Sequence, residues 1–188
     1  SKSVPVIITD AISHWDAIQK WNKEYLKESL KDSKVSVSVT PNGRADAIVD
    51  DKYFVTSTEE EMLFPEFVER MEDSKKRNGP VYYAQHQNNS FKEEFGALWG
   101  DIDPQSIEFA AKAFGQEEPE AVNFWMGENR SVSSMHKDHY ENMYGVIAGE
   151  KIFTLLPPTD RFALYEKPYT KATYVRSSSD PEKFDIIE

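Results

Sequence analysis

The 188-residue chain has four histidines, His14, His86, His136 and His139, and no cysteine. Those imidazoles and the carboxylates are therefore its strongest candidates for holding a transition metal. His-x-Asp is the first spacing to weigh, because an extended strand projects residues i and i+2 to one face, where an imidazole and a carboxylate can meet the same ion. The pattern occurs twice, as His14-Trp15-Asp16 and as His136-Lys137-Asp138. With 4 histidines and 13 aspartates, about 0.3 matches arise by chance, so the bare motif carries little information. Context separates the two. The first falls where a helix is expected to begin, and i and i+2 lie roughly 200° apart on a helix, so its side chains diverge. The second lies among β-type residues, after Ser133-Ser134 and before the aromatic, amide-rich run HYENMYGV. On a regular strand His139 would point away from that pair.

Lys151 follows Gly149-Glu150 at the head of KIFTLL, and a hairpin from NMYGVIAG would return it toward the His-x-Asp end. A lysine alternating with apolar neighbours needs an anion unless it faces solvent, because an unpaired buried ammonium is costly. Tyr83 and Ser133 are hydroxyl donors that could serve the same anion.

Composition narrows the class. Lys and Arg number 22 against 33 Asp and Glu, a formal charge of −11. That balance disfavours a phosphate-backbone binder and suits a cationic partner. Hydrophobic residues at 39% and aromatics at 13% exclude the signature of disorder. The lack of cysteine excludes disulfides, thiol nucleophiles and iron–sulfur clusters. No apolar run approaches the roughly 18 residues of a membrane span, and the start lacks a secretory-signal layout. A soluble protein of the cytoplasm or nucleus, with neither nucleic acid nor membrane as a direct partner, is the expectation.

The elements that would position these residues form one α+β unit over residues 1–188, with a helical and strand flank over 1–120 and the start of a β-barrel core over 121–188. Ser13 to Leu30 reads as a helix capped by Ser13, and Val35–Thr40 alternates as a half-buried strand before a Pro41-Asn42-Gly43 turn. A helix starting near Pro65 buries Phe67, Val68 and Met71, with the neighbouring EEE and KKR runs as solvated faces. Val81–Ala84 reads as a strand, and Asp103-Pro104 opens a helix that stops at Gly115. From Ala121 on, AVNFWMG, SVSSMHKDHY, NMYGVIAG and EKIFTLLPP read as short antiparallel strands of sandwich, barrel or jelly-roll type. Few strand-like segments follow, so the barrel is expected to be incomplete at the C-terminus.

Taken together, AVNFWMGENRSVSSMHKDHYENMYGVIAGEKIFTLLPPTDR, with VYYAQHQ, VSVSVTPNGRADAI and PVIITDAISHWDAIQKW before it, resembles the JmjC branch of the iron(II)- and 2-oxoglutarate-dependent oxygenases. The likeness is strongest to the small JmjC-only lysyl hydroxylases. HKDHYEN followed by GEK carries far more than His-x-Asp alone. The resemblance implies a cupin-like double-stranded β-helix, Fe(II) and 2-oxoglutarate as cofactors and molecular oxygen as co-substrate. It makes His136 and Asp138 the first two iron ligands and the catalytic pair. It also assigns Lys151, helped by Tyr83 and Ser133, to the distal carboxylate of 2-oxoglutarate, with Asn142 and Tyr144 lining the cofactor site. Serine at 133 departs from the threonine common in relatives.

The implied activity is hydroxylation of a lysine side chain in a protein substrate, with developmentally regulated GTP-binding proteins as the family's implied partners and a homodimer left open. Demethylation of N-methyl-lysine on histone tails, histone-tail peptidase activity and a non-catalytic cupin-like interaction module are the alternatives. The last arises because the family's third ligand is a later histidine and none follows His139. A shortened chain is the favoured explanation, with substitution by His86 or water, or poor iron retention, as the others.

Overall fold

The computed structural model describes residues 4–87, 89–115 and 118–188. Helices α1 (Asp16–Lys20) and α2 (Lys23–Ser29) come first, followed by strands β1 (Lys34–Thr40), β2 (Arg44–Ala45), β3 (Ala47–Val49), β4 (Tyr53–Thr56) and β5 (Thr58–Leu63). Helix α3 (Phe64–Arg77), strand β6 (Val81–Tyr83), α4 (Ser90–Glu93), two 3-10 turns, Gly96–Asp101 and Pro104–Ile107, and α5 (Glu108–Phe114) follow. The remainder holds β7 (Val132–Ser133), a 3-10 turn over Pro158–Leu164, β8 (Thr170–Arg176) and β9 (Phe184–Ile187).

Strand β1 is central, antiparallel to β5 on one side and to β6 on the other. Val35, Val37 and Val39 are fully buried, as their alternation predicts. They meet α3, whose Pro65 sits in the first turn and whose Phe64, Phe67 and Val68 lie in the same core as Leu30, Phe95 and Leu98. Each such aromatic or branched side chain contributes about 1.5–3 kcal/mol on burial. A second sheet, β3-β4-β8-β9, surrounds Val55, Ala172 and Tyr174, and β2 pairs in parallel with β7.

Several expectations change. The helix over Ser13–Leu30 is split at Trp21-Asn22, because the Asn22 side chain accepts from the Tyr25 amide and starts α2 as a new helix. Ser13 caps nothing; its hydroxyl donates to the Asp10 carbonyl, and Trp15 takes the cap position of α1. The flank is richer in strands than its sequence predicts. Within the EEE run, Glu59–Glu61 belong to β5, and Glu60 is drawn against Arg176 at 2.8 Å rather than left in solvent. Most of the strands expected after Ala121 are not formed among the described residues. Met126 makes a bridge to Ala84 and Val132–Ser133 pairs with β2, but residues 134–157 run without a ladder partner, with Ile152 82% exposed. A strand is held by hydrogen bonds to a neighbour, and among the described residues none pairs with this segment.

Asp101 ties the first helices to the 3-10 turn. Its carboxylate accepts from Lys20 Nζ at 3.1 Å, Trp21 Nε1 at 3.0 Å and the Tyr25 hydroxyl at 2.6 Å, with only 7% of the side chain exposed. Burial works to raise its pKa, but the three donors prevail and hold it below the ordinary carboxylate range. A carboxyl depressed on folding stabilises fully above its unfolded pKa and loses that contribution as pH falls through the folded value. Asp101→Asn, which turns an amide donor toward existing donors, should cost about 1–3 kcal/mol in urea denaturation at neutral pH. The gap to wild type should narrow below the ordinary carboxylate range, whereas an unchanged gap would remove Asp101 from the acid dependence.

Candidate active site

The backbone brings Tyr83, Ser133, Tyr144 and Lys151 together from both halves of the chain, while His136, Asp138 and Asn142 form a local cluster. Tyr83 ends β6, where it lies opposite Ser38 of β1 and is 6% exposed. The adjoining bridge, in which Ala84 and Met126 exchange amide hydrogen bonds of 2.9 Å each, holds Trp125 beside it with ring centroids 5.8 Å apart. Ser133 is delivered by β7, opposite Ala45, and Ser134 Oγ donates to the Ala45 carbonyl at 3.0 Å. Two glycines make this route possible. Gly43, at φ +86°, closes the turn after β1, and a side chain there would overlap the Arg130 carbonyl oxygen. At Gly127 a Cβ would stand 2.5 Å from Ser131 Oγ and 2.6 Å from the Tyr83 ring.

Lys151 reaches this platform although its expected strand is absent. Its Nζ donates to the Tyr83 hydroxyl at 3.0 Å and lies 5.4 Å from the Tyr83 ring centroid and 5.7 Å from that of Trp125. Burial raises the Tyr83 pKa and the Ser133 hydroxyl works against the rise, so the phenol remains protonated at neutral pH. Because its oxygen already accepts from Lys151, its own hydrogen is available to an incoming acceptor. Ser133 Oγ is buried with no partner of good hydrogen-bond geometry, a second polar group that a ligand would satisfy. Tyr144 continues the wall, 6.5 Å from Trp125 and 5.0 Å from Phe153 between ring centroids. Its pKa is pushed up by burial and by Tyr83, and drawn down by Lys151.

His136 and Asp138 follow Ser133 in the chain, past a bend at Met135. His136 Nδ1 is 2.6 Å from the Ser134 carbonyl oxygen. A carbonyl only accepts, so Nδ1 carries the proton, and in the neutral ring the Nε2 lone pair faces Asp138 Oδ1 at 3.4 Å. Asn142 Nδ2 donates to the other carboxylate oxygen at 2.8 Å, so Asn142 supports Asp138 directly. Side-chain exposures of 57% and 52% make the pair worth little as a salt bridge. Two lone-pair atoms 3.4 Å apart, each oriented from behind, are donor types that iron(II) could accept.

The other histidines do not join them. His86 Nδ1 is engaged by Glu94 at 2.7 Å, His14 faces Asp103 at 3.4 Å, and Asp16 turns to Lys20 instead of His14. His139 is exposed. Among the described residues no three His, Cys, Asp or Glu side chains cluster as a metal site, so His86 does not supply a third ligand. Trp125 and the Ser134 carbonyl were invisible to sequence reasoning, the former because an aromatic in a β-type run reads as core.

The family profile of a cupin-like domain matches residues 1–186. Among curated proteins, "JmjC domain-containing protein E" of Dictyostelium discoideum is 42% identical over 99% of this chain and 55% of its own length. "Lysine-specific demethylase JMJ32" of Arabidopsis thaliana is 44% identical over 100% of this chain and 55% of its own. The human "Bifunctional peptidase and (3S)-lysyl hydroxylase JMJD7" is 40% identical over 90% of this chain and 52% of its own. The chain thus spans about half the length of these relatives. The expected cupin-like α+β class is borne out by the profile match.

Gly127→Ala should displace Tyr83 or Ser131 and cost about 1–3 kcal/mol in chemical denaturation. A stability equal to wild type would mean that the platform yields to the extra methyl.

Proposed function

The chain belongs to the cupin-like, JmjC-type family, and we propose that it is the iron(II)- and 2-oxoglutarate-binding part of a protein hydroxylase acting on a lysine side chain. The observation that carries this reading is a carboxylate-free lysine held by the Tyr83 hydroxyl, with the His136–Asp138 donor pair beginning three residues after Ser133, whose hydroxyl acts on the same tyrosine. His136 Nε2 and Asp138 Oδ1 would hold the metal. The Ser134 carbonyl fixes the tautomer of the first, and Asn142 fixes the carboxylate of the second. Lys151 Nζ, the Tyr83 hydroxyl and Ser133 Oγ would take the distal carboxylate of 2-oxoglutarate, beside the Trp125 ring. Bound together, metal and 2-oxoglutarate supply the oxidising chemistry that places one oxygen atom of O2 in a C–H bond of the substrate.

The lysyl hydroxylase reading draws support from the human relative's printed activity and from this chain's charge of −11, which suits a basic substrate segment. GTP-binding proteins are the first substrates to try, and cytoplasm and nucleus the compartments to search. A second reading, demethylation of N-methyl-lysine, is favoured by the name of the Arabidopsis relative, 44% identical over the whole chain. It uses the same site and differs in releasing formaldehyde.

The test uses this chain and the longest reading frame that contains it, supplied with iron(II), 2-oxoglutarate and candidate substrates. Succinate formation with a mass gain of one oxygen on lysine is expected, and His136→Ala should abolish it. Lys151→Met should raise the 2-oxoglutarate requirement at least about ten-fold. Formaldehyde appearing in step with succinate would favour the demethylase, and turnover surviving His136→Ala would remove the metal assignment.

A further inference from the structure

The aromatic faces beside Lys151 point to a role for Trp125 that the metal and cosubstrate assignments do not contain. Of the 33 acidic residues, none pairs with Lys151 among the described residues, although most other lysines and arginines have carboxylate partners. One N–H of the ammonium goes to the Tyr83 hydroxyl at 3.0 Å. What covers the rest of the charge is π surface, with the Tyr83 and Trp125 centroids at 5.4 and 5.7 Å, inside the roughly 6 Å reach of a cation–π contact. The two rings stand edge to face at 65° and 5.8 Å, which sets a corner rather than a single wall.

We propose that Trp125 is a positioning residue that stands in for a counterion at Lys151. A carboxylate in that place would occupy the ammonium's donors and compete with any incoming anion. An indole face stabilises the positive charge and accepts no conventional hydrogen bond, so the remaining N–H groups stay available for a ligand carboxylate. The backbone reinforces the arrangement, since Trp125 precedes Met126 and Tyr83 precedes Ala84 across the same two-way bridge. Because the bridge is antiparallel, Tyr83 stands opposite Gly127 and Trp125 reaches it diagonally from two residues back, so the main-chain hydrogen bonds set the corner before any ligand arrives. The inference rests on the cosubstrate reading only for the identity of the anion, 2-oxoglutarate.

The test compares Trp125→Phe, which keeps a π face, with Trp125→Leu, which keeps apolar bulk without one. Acylation of each lysine by an N-hydroxysuccinimide ester at fixed pH is followed by peptide mass spectrometry, with Lys183, 75% exposed, as internal reference. Relative to Lys183, labelling of Lys151 should rise about three- to ten-fold in Trp125→Leu and stay within about two-fold in Trp125→Phe. Affinity for 2-oxoglutarate, titrated with manganese(II) present, should fall by a similar factor in the leucine variant alone. Unchanged labelling in Trp125→Leu, or an equal rise in both variants as simple loss of packing would give, overturns the inference. If the leucine variant does not fold, Trp125→Met replaces it with the same readings. Should wild type fail to bind 2-oxoglutarate, the proposed function falls, while the labelling ratio still decides the role of Trp125.

Discussion

An ammonium group drawn partly out of water has to be met by something, and in this chain Lys151 is met by the Tyr83 hydroxyl across a sequence separation of 68. That contact links an otherwise unladdered stretch, residues 134–157, to the sheet that borders the main hydrophobic core. Tyr83 is able to serve because it closes β6 against the central strand β1, whose valines are fully buried under α3. The candidate site therefore inherits its rigidity from a core in which it takes no chemical part. A loss of register between β1 and β6 would turn Tyr83 to the opposite face and leave the lysine without its acceptor.

Two half-sites differ in how they are built. The cationic half is assembled from distant segments, Tyr83, Trp125, Ser133 and Lys151, and is shielded by aromatic rings. The donor half is local, with His136, Asp138 and Asn142 within seven positions and their orienting contacts supplied by Ser134 and by each other. Local assembly explains why His136 and Asp138 keep a convergent geometry while more than half exposed and held by no sheet. It also fits a site that a metal, more than protein packing, would tighten.

What could be read in the sequence follows the same division. Val35, Val37 and Val39 announce their strand because one face is buried, and Asp103-Pro104 through Gly115 announces a helical segment by its caps. The His136-x-Asp138 spacing is legible although no strand forms there, because the two side chains still come within 3.4 Å. The break at Trp21-Asn22 was hidden because the apolar spacing continues through it and only the Asn22 cap ends the first helix. Strand β5 was hidden because its Glu59, Glu60 and Glu61 satisfy themselves with Ser38, Arg176 and Lys34, so that no hydrophobic period marks it. The β-type runs after Ala121 misled in the other direction, since composition expresses a preference for strand but cannot provide the neighbour that a strand needs.

The central claim is that one site joins the His136–Asp138 pair to the Lys151–Tyr83 corner. Calorimetric titration of 2-oxoglutarate into the protein, with and without manganese(II) as a redox-inert stand-in for iron, tests it most directly. The account predicts binding of one 2-oxoglutarate per chain that requires the metal and is lost in both Asp138→Ala and Lys151→Met. Binding that is indifferent to the metal, or that survives Lys151→Met unchanged, would contradict it.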